Sequence, residues 1–222
     1  VHLREPGAEH KEDFETGGRA AVMGGVTGVF EMPNTKPLTT TAGTLADKVR
    51  RASNRMYCDF AFYMGGTREN AHQLGEFEKL PGCAGIKVFM GSSTGDLLVE
   101  YDEGVASILA NANRRAAFHS EDEFRLRQRV NEQVAGDAAS HPIWRDAEAA
   151  RLCTERLIRI ARQQKKRIHV LHVSTAEEMP LLAANKDIAT GEVTPHHLTL
   201  SSDDYARLGT LIQMNPPVRS KD

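Results

Sequence analysis

Six short apolar runs recur along the chain and predict β-strands. Most of them are nearly continuous rather than alternating, as expected for parallel strands that helices cover on the outside. The first four begin about 30 residues apart, which is the usual length of a βαβ unit. The runs are Val26–Met32, Met56–Met64, Gly85–Met90, Ala116–His119, Arg167–Val173 and Asp187–Val193.

Stretches with apolar residues at helical spacing lie between these runs. They predict helices over Phe14–Gly24, Thr41–Ser53, Asp102–Arg114, Ala147–Gln164 and Ser174–Ala184. The last of them opens with STAEE, in which a Ser or Thr ahead of a Glu predicts a capping box. Alternating strands and helices indicate an α/β fold, either a doubly wound sheet or a (β/α)8 barrel.

Polar residues at or near the ends of the runs favour the barrel, because barrel active sites are built at the carboxyl ends of several strands. A doubly wound sheet would instead place its chemistry at one crevice, usually beside a glycine-rich phosphate turn, and neither GxGxxG nor GxxxxGK[ST] occurs. The GSSTG stretch (Gly91–Gly95) also lacks the lysine of a phosphate loop, so we interpret it as a flexible loop over the site. The polar residues at the run ends are Asn34, Lys87, His119, His172 and His196–His197.

One barrel domain is predicted for residues 1–222. The step from the run at Ala116 to the run at Arg167 is longer than the others. We therefore expect an inserted segment at about residues 121–146, after the fourth run.

Charge and cysteine usage exclude several classes of protein. The chain of 222 residues has 28 basic and 30 acidic side chains, so nothing suggests a nucleic acid or an anionic membrane as a partner. No stretch approaches the roughly 18 consecutive apolar residues of a membrane span. The three cysteines, Cys58, Cys83 and Cys153, are widely spaced and never in CxxC. They indicate neither disulfides nor a cysteine–zinc site, and we expect a reducing cytoplasm.

Histidines near strand ends are candidate metal ligands, although a single histidine is more often structural. His2, His119 and His172 are the candidates. His169 lies an odd number of residues from His172, so the two are expected to point to opposite faces, or to have exchanged roles. The remaining histidines in polar or helical surroundings, His10, His72 and His141, are interpreted as structural.

Lys87 gives a more specific signal, because it lies inside the apolar run GIKVFM. A lone buried ammonium is too costly, so this lysine must be paired, shifted in pKa or chemically modified. Two interpretations stay open. One is a buried ion pair with a carboxylate of a neighbouring strand. The other is a lysine carbamate, formed with CO2, that bridges two metal ions.

Taken together, the motifs resemble those of the dihydroorotases of the amidohydrolase superfamily, from the first residues of the chain to the last. Any one match is weak, but the ordered set at plausible spacing is specific. The matches are VHLREPG with His2, Arg4 and Glu5-Pro6-Gly7, MPNT at Met32–Thr35, Lys87 in GIKVFMGSSTG, His119-Ser120-Glu121, IHVLHVS with His172, TPHHL at Thr194–Leu198 and NPPVR at Asn215–Arg219.

The resemblance implies a zinc-dependent cyclic amide hydrolase that interconverts N-carbamoyl-L-aspartate and dihydroorotate in pyrimidine biosynthesis. It implies a pair of zinc ions and a CO2-derived carbamate on Lys87. The implied metal ligands are His2, Lys87, His119 and His172. The implied substrate-binding residues are Arg4 and Asn34, for the substrate carboxylate, with Asn215 and His197 lining the pocket.

Two family residues are not among these positions. The first histidine of the family's HxH would precede Val1, and the strand-eight aspartate, a metal ligand and general acid/base, would follow Asp222. We therefore expect an incomplete barrel, from the end of strand one through strand seven, without strand eight and the flanking β-sandwich. The 222-residue piece alone is expected to be inactive.

Two alternative functions stay open. One is a non-catalytic dihydroorotase-like subunit that serves as a scaffold for aspartate transcarbamoylase. The other is a cyclic amidohydrolase of the hydantoinase or allantoinase type, whose substrates lack the carboxylate. Family members are commonly homodimers, so a homodimer is a further expectation.

Overall fold

Short strands and helices alternate along the chain, as the sequence predicts. The computed structural model describes residues 1–92 and 97–221. Each strand in this part of the chain overlaps one of the predicted apolar runs, usually as a shorter segment. The strands are β1 (Gly28–Glu31), β2 (Asp59–Gly65), β3 (Cys83–Phe89), β4 (Ala116–His119), β5 (Ile168–Val170) and β6 (Ala189–Gly191).

The helices include all five predicted ones and several short ones. They are α1 (Phe14–Met23), α2 (Ala42–Ala52), α3 (Leu74–Phe77), α4 (Asp102–Asn111), α5 (Glu123–Arg129), α6 (His141–Trp144), α7 (Ala147–Gln164), α8 (Glu178–Ala184), α9 (Pro195–Thr199) and α10 (Tyr205–Leu208). Single 3-10 turns lie at Ala71–Gln73, Val130–Glu132, Ala138–Ser140, Ser202–Asp204 and Gly209–Ile212. Among the described residues, no helix has the length and apolar character needed to cross a bilayer.

The capping box predicted for STAEE is wrong. Helix α8 begins only at Glu178, and its N-cap residue, Glu177, makes no capping hydrogen bond through its side chain. Glu178 is buried and accepts a hydrogen bond at 2.6 Å from the Thr154 hydroxyl of α7. The Glu178 carboxylate is therefore shared between this distant hydroxyl and the Ser174 amide, 3.5 Å away, and no reciprocal capping box forms.

The chain divides into two compact units. The first unit consists mainly of Val1–Val88 and Ser107–Ala116, and the second mainly of Leu98–Ala106 and the chain from Ala117 onward.

In the first unit, β1, β2 and β3 form a parallel sheet. The β1–β2 register runs from Gly28 opposite Asp59 to Glu31 opposite Phe62. Between β2 and β3 the register shifts once, after which Gly65 lies opposite Lys87. Phe62 packs edge-on against Phe14 of α1, with ring centroids 5.7 Å apart.

In the second unit, β5 and β6 pair in parallel from Ile168 opposite Ala189 to Val170 opposite Gly191. The Leu171 amide, just after β5, donates to the Phe118 carbonyl of β4 at 3.1 Å. Helix α7 begins where the Asp146 carboxylate caps it and ends where Lys165 adopts a left-handed conformation, with φ of 53°. Most of its apolar residues are buried, so α7 supplies much of the core of this unit.

A buried ion pair lies under the end of β1. Glu31 and Lys48 of α2 are each only 1% exposed, and the Lys48 ammonium donates to the Glu31 carboxylate and, at 2.9 Å, to the Met32 carbonyl. Burial raises the pKa of Glu31 to about 7, against the opposing effect of Lys48. Burial likewise lowers the pKa of Lys48. The free-energy cost of removing the two charges from water therefore cancels much of the electrostatic attraction between them.

We expect the double variant Glu31→Leu/Lys48→Met to be at least as stable as the parent, and Glu31→Leu alone to lose about 3–5 kcal/mol, because it leaves Lys48 buried without its partner. Between pH 4.3 and about 7 the folded protein retains the Glu31 proton that the unfolded chain has released. The parent therefore loses stability relative to the double variant as the pH rises through this window, and the difference levels off above it. Urea unfolding from pH 4 to pH 8 measures both effects. A double variant as unstable as the single one would contradict the expectation.

Candidate active site

Four of the predicted site residues interact with one another in the first unit. The His2 ring hydrogen-bonds to the Asn34 side chain and lies within the electrostatic influence of Arg4 and Lys87. His2 is exposed to solvent, yet many protein atoms lie around its ring. This desolvation, followed by the positive charge of Arg4, lowers the pKa of His2 well below its usual value. His2 is therefore neutral at pH 7, the form of histidine that binds metal ions.

Lys87 is enclosed by protein, as its apolar surroundings in the sequence predict. Its side chain is 1% exposed, and its Nζ donates to the Val88 carbonyl at 3.3 Å. Every residue of β3 except Ala84 is buried, so there is little water here to solvate an ammonium group.

Glu5 fixes the segment after His2. The sequence analysis named this residue as part of a motif but assigned it no role. The buried Glu5 carboxylate accepts two hydrogen bonds from Arg55, at 2.6 and 3.0 Å, and one from the Phe14 amide at 3.2 Å. Arg4, next to it, has a positive φ of 63°, a conformation that non-glycine residues rarely adopt. The Glu5–Arg55 pair therefore anchors the segment from which the Arg4 guanidinium projects.

In the second unit, His119 and His172 lie side by side. His119 ends β4, and His172 follows β5 with a positive φ of 39°. The Nδ1 of His119 lies 3.3 Å from the Nε2 of His172, and the ring centroids are 4.9 Å apart. Phe89 stacks on the other side of the His119 ring, with centroids 5.9 Å apart.

A buried carboxylate orients the first of these histidines. Glu121, which is completely buried, lies 2.8 Å from the Nε2 of His119 and also accepts hydrogen bonds from Arg145 and Arg219. Burial alone would raise the pKa of Glu121, but Arg145, His119 and Arg219 hold it well below its usual value. An ionised Glu121 makes Nε2 of His119 the protonated nitrogen, so Nδ1 directs its lone pair toward His172.

The histidine pair fits a zinc ion. Two imidazole nitrogens bound at about 2.0–2.1 Å to a tetrahedral zinc ion stand about 3.3–3.4 Å apart, and the two nitrogens here are 3.3 Å apart. A carboxylate that holds the far nitrogen of a histidine is the usual support of such a ligand. Among residues 1–92 and 97–221, no three His, Cys, Asp or Glu side chains gather into one metal-binding group.

His169 has a different environment from His172. Its Nδ1 lies 2.8 Å from the Thr190 hydroxyl, and its Nε2 lies 3.3 Å from Glu192. Of the two histidines in this stretch, His172 is therefore the one that the structure places beside His119.

Asn215 and His197, the other predicted pocket residues, are both half-buried in the second unit. The Asn215 side-chain oxygen lies 2.9 Å from the Nε2 of His141. Both ring nitrogens of His197 contact protein: Nδ1 lies 2.9 Å from the Thr194 hydroxyl, and Nε2 lies 3.2 Å from the Pro216 carbonyl. His197 therefore holds the segment that carries Asn215. Residues 93–95 of the predicted GSSTG loop lie outside the described residues.

The sequence analysis did not identify the residues that hold the site residues of the two units in place. Glu5, Glu121 and Arg219 belong to the quoted motifs EPG, HSE and NPPVR, so a signal for them was present. Arg145 and His141 belong to none of the quoted motifs. Both lie in the segment that we interpreted as an insertion.

Comparisons with solved structures define the class of protein. The chain matches L-hydantoinase (dihydropyrimidinase) from Arthrobacter aurescens with a TM-score of 0.91 and 26% identity, over 100% of this chain and 51% of that one. It matches D-hydantoinase from Bacillus sp. AR9 with a TM-score of 0.87 and 24% identity, over 99% of this chain and 51% of that one. The predicted incomplete (β/α) barrel of the amidohydrolase type is confirmed.

Curated relatives give a more specific likeness than the solved structures do, and they confirm the resemblance to the dihydroorotases. The chain is 36% identical over 227 residues to the dihydroorotase of Halobacterium salinarum, covering 99% of this chain and 51% of the relative. It is 35% identical over 224 residues to that of Pyrococcus abyssi, covering 100% of this chain and 48% of the relative. The chain thus spans about half the length of the curated relatives it matches. No protein-family model matches it.

Proposed function

We propose that the protein is a zinc-dependent dihydroorotase, which opens the cyclic amide of dihydroorotate with water to give N-carbamoyl-L-aspartate and catalyses the reverse ring closure. The observation that carries the proposal is the similarity of the whole chain to curated dihydroorotases, at up to 36% identity. A cytoplasmic location, a homodimer and an association with aspartate transcarbamoylase stay predictions.

The proposed metal ligands are four residues that the motifs single out. His2 and Lys87 are the proposed ligands from the first unit, and His119 and His172 are those from the second. Zinc, when bound, polarises a carbonyl group and lowers the pKa of water toward 7. The neutral His2 and the His119–His172 pair support the assignment, because imidazole binds zinc in its neutral form.

The role of Lys87 follows from its burial. A neutral amine adds to CO2 and loses a proton, which turns a cationic side chain into an anionic carbamate with two oxygen donors. Such an anion, beside metal cations, is compatible with a strand interior from which water is largely excluded.

Arg4 and Asn34 would recognise the substrate carboxylate. The guanidinium fork of Arg4 matches a planar carboxylate in shape and charge. Asn34 is half-buried and bonded to His2, which places an amide beside a proposed metal ligand. The proposed substrate contacts are therefore next to the proposed chemistry.

We expect Arg4→Met to lower kcat/KM for dihydroorotate by about 10- to 100-fold, because a charge-assisted hydrogen bond contributes about 1.5–3 kcal/mol. Hydantoin has no carboxylate, so any activity toward it should change little. Steady-state kinetics of the full-length protein with both substrates measures the difference. Arg19→Met, which removes an exposed arginine of the first unit, is the matched control.

An equal loss on both substrates in Arg4→Met would remove the argument for carboxylate recognition. The likeness to hydantoinase structures supports a second candidate, a hydantoinase-type enzyme. Rates with dihydroorotate, hydantoin, dihydrouracil and allantoin discriminate the two. A parent protein that turns over hydantoin but not dihydroorotate would establish the second candidate.

A further inference from the structure

His141 lies at the start of the short helix α6 and is only 6% exposed. Its Nε2 is 2.9 Å from the Met214 carbonyl oxygen and 2.9 Å from the Asn215 side-chain oxygen. Both partners are acceptors, so Nε2 must carry the hydrogen and donate it. The Nδ1 of His141 is buried and has no hydrogen-bond partner among the described residues. The neutral ring, with Nδ1 unprotonated, therefore suits this position.

This hydrogen bond fixes the orientation of the Asn215 carboxamide. If the amide were rotated by half a turn, its NH2 group would face the N–H of His141, donor against donor. Asn215 must therefore present its oxygen to His141, which leaves its NH2 group as the donor available elsewhere. Asn215 is half-buried, so part of this residue remains accessible to a small molecule.

A second histidine holds the same segment at its backbone. His197 donates from Nε2 to the Pro216 carbonyl at 3.2 Å, while its Nδ1 accepts from the Thr194 hydroxyl. The two histidines differ in what they hold: His197 contacts the main chain at Pro216, whereas His141 contacts both the main chain at Met214 and the side chain of Asn215.

We propose that His141 is a positioning residue for substrate recognition, which sets the Asn215 carboxamide so that its NH2 group donates to an oxygen atom of the cyclic amide substrate. The inference rests on the proposed function, since it takes Asn215 as a substrate contact. It also gives the inserted segment a role, because His141 reaches from that segment to a residue 74 positions later.

The test compares His141→Leu, His141→Gln and Asn215→Ala in the full-length protein. We expect His141→Leu to raise KM for dihydroorotate about tenfold with kcat nearly unchanged, as one oriented hydrogen bond is lost. His141→Gln retains an N–H donor and should recover most of the affinity. In an Asn215→Ala background, His141→Leu should add less than a twofold effect. Ser140→Ala is the matched control, because it removes buried hydrogen bonds of the same segment without touching Asn215.

A measurement that does not depend on activity keeps the inference testable if the proposed function fails. In 15N-labelled protein, the two amide protons of Asn215, assigned by their loss in Asn215→Ala, should give sharp, separate signals. In His141→Leu this pair of signals should shift toward the positions of a free Asn side chain, or broaden, as the carboxamide samples more than one orientation about its Cβ–Cγ bond. Unchanged signals, equal KM values for the Leu and Gln variants, or effects of His141 and Asn215 that simply multiply would overturn the role of His141. A parent without dihydroorotate turnover, but with the expected signals, would overturn only the proposed substrate.

Discussion

Lys87→Ala in the full-length protein is expected to lower dihydroorotate turnover by at least about a thousandfold, because the bridging ligand of the proposed metal ions is lost. The variant should also lose bound zinc. Incubation of the parent with 13C-bicarbonate should give a carbamate carbon signal in the NMR spectrum, and Lys87→Ala should not give it. Together these measurements separate a lysine that is a carbamate from one that is merely buried.

Lys48 provides the matched control for this experiment. It is a lysine of the same unit with the same 1% exposure, but it is paired with Glu31. Lys48→Met should leave the carbamate signal in place. A Lys87→Ala protein with normal zinc content and turnover would remove the carbamate assignment and leave the buried ion pair as the explanation of this lysine.

Glu121→Gln is expected to weaken zinc binding about 10- to 100-fold, since it removes the carboxylate that orients His119. It should also destabilise the metal-free protein by about 3–5 kcal/mol, because Arg145 and Arg219 then lose their buried anionic partner. Competition with a chromophoric chelator measures the first effect, and urea unfolding of the metal-free protein measures the second.

Glu178→Gln is the control for the Glu121 variant. Glu178 is another buried glutamate of the second unit, but its bond is to Thr154, and burial raises its pKa. The Gln variant should therefore bind zinc as the parent does. If Glu121→Gln folded and retained full zinc affinity, His119 would not depend on that carboxylate.

The sequence predicts the bounds of an element well where it contains both the apolar pattern of the element and the residue that caps it. Helix α7 begins and ends at the predicted residues, because an amphipathic stretch follows a capping aspartate, Asp146. Four of the six strands, β1, β2, β5 and β6, were predicted too long, since apolar residues continue beyond the hydrogen-bonded ladder: the run Met56–Met64 contains β2 only from Asp59 onward. The capping box predicted for STAEE does not form, because helix α8 begins only at Glu178.

The candidate site likewise has a part that the sequence predicts and a part that it does not. Motif order predicts which residues to examine, and it favours His172 over His169, whereas strand alternation predicts only that the two point to opposite faces; the structure places His172 beside His119. The residues that support the site, such as Arg145 and Arg219, could not be predicted, because they contact residues far away in the sequence. Glu121 meets Arg145 24 residues later, and no spacing rule connects two residues of an irregular segment. Only the folded chain shows that an arginine in NPPVR contacts the carboxylate of HSE.

The long reach of the Glu121 contacts has a consequence for biosynthesis. Glu121 and Arg219 are 98 residues apart, and His119 and His172 are 53 apart. Contacts between such distant positions form late in folding, because a long stretch of chain must be ordered before they stabilise anything. A nascent chain that has not yet reached Arg219 therefore lacks one of the two arginines that bind the Glu121 carboxylate beside His119. If the histidine pair binds the proposed zinc ion, stable binding there would require that Arg219 has already joined the fold.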